Sequence, residues 1–159
     1  MPNLQDEIGK KEPFEMAEEE AYLNIRRTAA TLESEFGRLF RQAGLSEATY
    51  NVLRILRAAG KDGRCWGEIR EDLVVPVPDV TRLIDRLEQA GHCERQRCAS
   101  DRRKVYIRIT EQGKSIVDSL DEPVQKSLRG KLGHVDPDDL RALSRLLEVV
   151  RSSKKAQAV

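Results

Sequence analysis

Apolar residues recur at three- and four-residue steps along most of this chain, the period of an amphipathic helix, and they alternate in only one stretch. From Phe14 to about Gln42 the stripe is Tyr22, Ile25, Ala29, Leu32, Phe36, Leu39 and Phe40, with no proline in the run. After Gly44 a second helix is predicted, capped by Ser46, with Val52, Leu53, Leu56 and Ala59 inward and Gly60 and Gly63 at its end. Trp66 to Val74 reads as a short third helix. Pro78 to Ala90 reads as a fourth, with Val80, Leu83, Ile84 and Leu87 on one face and Pro78 in its first turn. Gly91 stands where a helix end favours a left-handed residue.

The period then changes. His92 to Arg97 and Lys104 to Thr110 read as two strands, the second alternating Val105, Ile107 and Ile109 with Lys104, Tyr106 and Arg108. Beyond the hairpin, Thr110 caps a helix whose stripe is Ile116, Val117, Leu120, Val124, Leu128 and Leu132. Pro123 must kink or break it. Asp136-Pro137 starts a last helix with Leu140, Leu143, Leu146, Leu147 and Val150 on one face. The predicted class is therefore mainly α with a small β wing, a winged helix-turn-helix between N- and C-terminal helices. The division expected is a mobile tail over residues 1–13, a dimerisation helix over 14–44 and a DNA-binding domain over 45–110. Helices completing the dimerisation region take 111–153, and a polar tail takes 154–159. The first helix is too long for a small monomeric core, which predicts a partner chain against it.

Charge changes the picture through its distribution. The 159 residues carry a net charge of only +1. Yet residues 1–20 are acidic, while residues 95–108 hold Arg95, Arg97, Arg102, Arg103, Lys104 and Arg108 against Asp101 alone. No apolar run approaches the ~18 residues of a membrane span, so a soluble, cytoplasmic protein is expected. Three cysteines, an odd number, suit a reducing compartment. The sequence holds no paired catalytic carboxylates, no nucleophile elbow and no phosphate-cradling glycine loop, so neither an enzyme nor a cofactor is expected. A metal site is not expected either, because adjacent His92 and Cys93 would point to opposite faces of a strand. A short helix beside a cationic hairpin does have a chemistry: one can enter a major groove while the other follows the backbone of duplex DNA.

Four stretches carry a family likeness: LSEATYNVLRIL, VTRLIDRLEQAG, the arginine-rich wing with Asp101-Arg102-Arg103 closing into Thr110-Glu111-Gln112-Gly113, and DPDDLRALSRLLEVV. In this order and spacing the chain resembles the MarR (multiple antibiotic resistance regulator) family of bacterial transcription factors, from about Tyr22 to Arg151. The resemblance implies a homodimer with intertwined outer helices, a pseudo-palindromic operator, and release by a small molecule or an oxidant. It implies that Pro78 to Arg86 enters the major groove, with Thr81, Arg82 and Arg86 at base edges or phosphates. It implies a wing pair in which Asp101 directs Arg103, with Arg103 or Arg102 at the minor groove. Arg95 and Arg97 would meet phosphates along the wing's stem, and Ser46 and Thr49 would do so at a helix start.

Two further features stay open. By analogy an effector pocket is expected between the dimer helices and the winged helix, with Tyr22, Tyr50 and Trp66 as lining or simply as core. Cys65 and Cys93 are candidate neighbours across the sheet, and Cys98 among arginines is a candidate redox switch; the other reading makes Cys65 and Cys93 small core hydrophobes. The hydroperoxide-sensing branch of the family keeps its reactive cysteine near the N-terminal dimer region, and this chain has none before Cys65. The leading expectation is a repressor released by a small molecule. The alternatives are a redox-switched regulator of the same fold and a winged-helix interaction module without DNA binding.

Overall fold

The helices form in the order their apolar stripes require. A computed structural model describes residues 3–97 and 105–152. It contains α1 (Leu4–Glu7), α2 (Ala17–Gln42), α3 (Glu47–Ala59), α4 (Trp66–Asp72), α5 (Val80–Gln89), β1 (Cys93–Arg97), β2 (Val105–Ile109), α6 (Glu111–Leu132) and α7 (Pro137–Ser152). The fold is mainly helical with one small antiparallel sheet. The chain divides into two compact units, Met1–Leu120 and Asp121–Val159, with α6 beginning in the first and ending in the second.

In the first unit the core is built from one face of each helix. Val52, Leu53 and Leu56 of α3, Ile69 of α4, Val80, Ile84 and Leu87 of α5, Ile107 of β2 and Val117 of α6 are all buried. Each stripe lies at the spacing that puts its members on one side of a helix, and its removal from water is what holds the unit together. Ser46 starts α3 through a reciprocal cap: its hydroxyl accepts from the Thr49 N–H at 3.1 Å, and the Thr49 hydroxyl accepts from the Ser46 N–H at 2.8 Å. Phe40 of α2 stacks on Tyr50 of α3 at 4.3 Å between ring centroids.

The end of α5 and the start of α6 meet at one junction. Gly91 takes a φ of 74°, its N–H bonds to the Glu88 carbonyl at 2.9 Å, and the His92 N–H bonds to the Leu87 carbonyl at 2.8 Å. Thr110 then serves both sides. Its hydroxyl donates to the Gly91 carbonyl at 2.6 Å and accepts from the Gly113 N–H at 3.0 Å. A Cβ at position 113 would lie 2.0 Å from the His92 carbonyl oxygen, so only glycine lets α6 start against the residue that leads into β1.

Two expectations change and a third narrows. Leu4–Glu7, placed by sequence in a mobile tail, form a helical turn capped by Asn3, with Leu4 buried and Arg27 Nε donating to Glu7 Oε2 at 2.5 Å. Pro78 lies outside α5: Asp79 is the N-cap, its carboxylate accepting from the Arg82 N–H at 3.0 Å. Of the two outcomes expected at Pro123, a kink or a break, the break does not occur: α6 runs through it, although the proline removes the N–H that the Ser119 carbonyl would otherwise bind. In the second unit Asp136 starts α7 by accepting from the Asp138 N–H at 2.7 Å, as the Asp-Pro signal predicts.

Candidate nucleic-acid interface

The helix-turn-helix is α4, a turn through Pro76 and Pro78, and α5. Asn51 of α3 holds the turn, its side-chain oxygen accepting from the Val74 N–H at 2.9 Å. The sequence reading did not single out Asn51; a polar side chain inside an apolar stripe was the available signal. With Val80, Ile84 and Leu87 committed to the core, α5 has only one way to face. Thr81, Arg82 and Arg86 are exposed, and among the described residues none of the three has a side-chain hydrogen bond or ion pair.

The wing is fastened to α5 by charge. Arg95 on β1 donates to Asp85 Oδ1 at 2.5 Å and also to Glu88, while the Arg95 backbone N–H donates to Glu88 Oε1 at 3.2 Å. The hydrogen bond that the guanidinium donates to Asp85 raises its proton affinity further; burial opposes this, and the charge of Glu88 adds to the rise. In the chain without DNA, Arg95, expected among the phosphate contacts, is held by two carboxylates of α5. It braces the hairpin. Asp85 and Glu88 sit one turn apart on one helix face, the spacing needed to grip a single guanidinium.

β1 and β2 pair antiparallel from Cys93 opposite Ile109 to Arg97 opposite Val105. Arg97 is exposed at the outer end of β1. Cys98, Asp101, Arg102 and Arg103 lie outside the described residues. Next to Cys65, Arg64 makes a single antiparallel bridge to Ile107. Ile107 also pairs with Arg95, so β2 stands between the segment bearing Cys65 and the strand bearing Cys93. The two cysteines are therefore not neighbours across the sheet. Cys93 is buried, and burial, helped by Glu88, pushes its thiol up to about 11, which makes it a core hydrophobe rather than a nucleophile. Cys65 precedes α4, its N–H donating to Glu68 Oε2 at 2.8 Å.

The three aromatic candidates differ in burial. Tyr50 is 5 % exposed and stacked in the core, while Tyr22 and Trp66 are 58 % and 57 % exposed. None lines the large cavity beside α2. Ser46 and Thr49 stand at the start of α3 with both hydroxyls engaged in the cap. Among the described residues no cluster of histidine, cysteine and acidic side chains could hold a metal ion, and no helix is long and apolar enough to cross a membrane.

A family model described as the MarR family matches residues 45–105, the segment from the start of α3 to the start of β2. Among solved structures the chain is similar to a MarR transcription factor from Planctomyces limnophilus, with 36 % identity over 86 % of this chain and 99 % of that one and a TM-score of 0.66. A MarR family transcriptional regulator from Streptomyces coelicolor, solved in complex with DNA, shares the fold at a TM-score of 0.79 with 21 % identity, over 91 % and 92 % of the two chains. BpsR of Bordetella bronchiseptica, described for the regulation of its DNA binding by 6-hydroxynicotinic acid, shares it at 0.71 with 20 % identity, over 82 % and 98 %.

Proposed function

The chain belongs to the MarR family, and from that membership we infer that it is a DNA-binding transcriptional regulator acting as a homodimer, a repressor whose operator is released by a small molecule. One observation carries the reading: α5 turns Thr81, Arg82 and Arg86 outward with no side-chain partner among the described residues, beside a hairpin locked to the same helix. Arg82 and Arg86 then have donors free for guanine O6 and N7 or for phosphate, and Thr81 for a base edge or a thymine methyl. Pro78 sets the approach of the chain to the Asp79 cap. Arg97 follows the backbone, and Arg102 and Arg103, directed by Asp101, take the minor groove. Ser46 and Thr49 offer a phosphate the backbone N–H groups of the α3 start rather than their own hydroxyls.

The domain roles follow. Residues 45–110 read DNA, and residues 14–44 and 111–153 join two copies. Both α5 helices must reach half-sites about 34 Å apart, so an effector that changes their separation by a few ångströms lowers affinity steeply. The DNA-bound Streptomyces coelicolor regulator and BpsR support this reading by what they are described as binding. The test is a gel-shift titration of the full chain against DNA upstream of its own gene at moderate salt. Sequence-selective retardation that weakens with rising salt is expected. Equal affinity for scrambled duplex would favour an interaction module that does not read DNA.

A further inference from the structure

Helix α5 begins with a negative charge. Asp79 is exposed, and one of its carboxylate oxygens accepts from the Arg82 N–H at 3.0 Å as the N-cap. That bond fixes the carboxylate against the main chain of Arg82, whose own guanidinium stays exposed. The second oxygen of Asp79 has no hydrogen bond or ion pair among the described residues. The other carboxylates of α5, Asp85 and Glu88, are both held by Arg95. The turn that leads to Asp79 is also poorly made for a phosphate. From Leu73 to Thr81 there is no lysine or arginine, Pro76 and Pro78 carry no N–H, and the Val74 N–H is bound to Asn51.

We propose that Asp79 is a specificity-determining residue, which accepts a hydrogen bond from the N4 amine of a cytosine in each half-site and turns phosphates away. The proposal rests on the DNA-binding reading above and adds one base to what α5 reads. The first residues of a recognition helix face base edges in the major groove. The donors available there are the amines of cytosine and adenine. Adenine sets the N7 lone pair beside its amine, which repels a carboxylate; cytosine has only a C–H in that place. A cap alone needs no charge, since serine and asparagine cap a helix as well as aspartate does. Arg82 beside it offers donors to guanine, so the first turn of α5 presents the two opposite chemistries that a G·C-containing site requires.

The experiment selects binding duplexes from one pool with a randomised core, using the full chain as wild type, Asp79→Ser and Asp79→Asn, and then measures each protein's affinity for a scrambled duplex. Serine keeps a cap but loses the charge and the reach. Asparagine keeps the length and loses only the charge, and it carries the test alone should serine unsettle the helix start. Wild type is expected to fix one cytosine per half-site, with about a tenfold preference over the other bases. Asp79→Ser should lose the preference at that position and keep it elsewhere. Asp79→Asn should shift it toward adenine, whose N6 and N7 an amide grips together. Both variants should bind scrambled duplex several-fold more tightly. The same bases selected by all three proteins would overturn the proposal and leave Asp79 a cap. Tighter binding of scrambled duplex with an unchanged base preference also overturns it, reducing Asp79 to a repelling charge. So does a wild type that selects its sites without fixing a cytosine. A wild type that selects no sequence at all overturns the DNA-reading function itself, so the two failures are told apart.

Discussion

Helices α3 and α7 carry apolar stripes of the same kind and meet opposite fates. α3 buries Tyr50, Val52, Leu53 and Leu56 inside the first unit. α7 buries nothing: Leu143, Leu146, Val149 and Val150 stay 48–62 % exposed. Periodicity therefore says which face of a helix seeks cover and not what supplies it. The winged helix finds its cover within the chain. A stripe left open to water along a whole helix is the kind of patch that marks an interface, and here a second copy is the proposed partner.

The sharpest way to break the comparison is to cut into both stripes. Leu56 is fully buried, so Leu56→Ala should cost about 2–5 kcal/mol in urea unfolding, from lost transfer energy and an unfilled cavity. Leu146→Asp should behave differently. The folded chain already shows that side chain to water, so the secondary structure should survive intact. What should fall is self-association, by about a hundredfold in dissociation constant, or about 3 kcal/mol, read by sedimentation. If wild type sediments as a single chain at micromolar concentration, the comparison loses its lesson and α7 is merely an exposed helix.

Much of this was legible in the sequence. Every predicted helix and both strands exist, because their stripes and caps agree: Ser46 before α3, Gly91 after α5 and Asp136 before α7 all serve as expected. What was not legible depended on distant partners. Residues 4–7 looked too polar to dock, yet Leu4 finds α2 and Glu7 finds Arg27. Arg95 looked like every other arginine of the wing until the hairpin brought it against Asp85 and Glu88. Cys65 and Cys93 were candidate neighbours across the sheet until the bridge at Arg64 fell on β2 rather than on β1. Spacing along a helix is local information, and the choice of partner across the fold is not.

Cys93 offers a smaller break within the buried region. Its thiol is raised from the ordinary 9.0 to about 11, chiefly by burial and next by Glu88. The folded state thus holds this proton where the unfolded chain gives it up. The stabilisation is whole below pH 9 and is lost as pH rises through 11, about 2–3 kcal/mol in all. Urea midpoints of wild type should therefore drop across that window, and those of Cys93→Ala should drop less. Iodoacetamide at pH 8, mapped by mass, should label Cys65 well before Cys93. Equal labelling would place Cys93 outside the core.

Arginine tests the same contrast at the proposed interface, where one residue of each kind is available. Arg82 is exposed and has no ion pair among the described residues, so Arg82→Ala should leave unfolding unchanged and weaken operator binding by about 1–3 kcal/mol, with relaxed selectivity at one base position. Arg95 is the opposite case. Its side chain is 34 % exposed and its charge is already answered by Asp85 and Glu88. Screening by water limits what that brace contributes, so Arg95→Ala should cost only about 0.5–1 kcal/mol of stability. Its effect on DNA should come through a looser wing: weaker binding to every sequence alike, with the salt dependence kept. An arginine on phosphate behaves otherwise, because its loss removes about one unit from the salt slope. If Arg95→Ala flattens that slope, its carboxylate partners release it to the backbone when DNA arrives, and the brace is a reserve of positive charge instead.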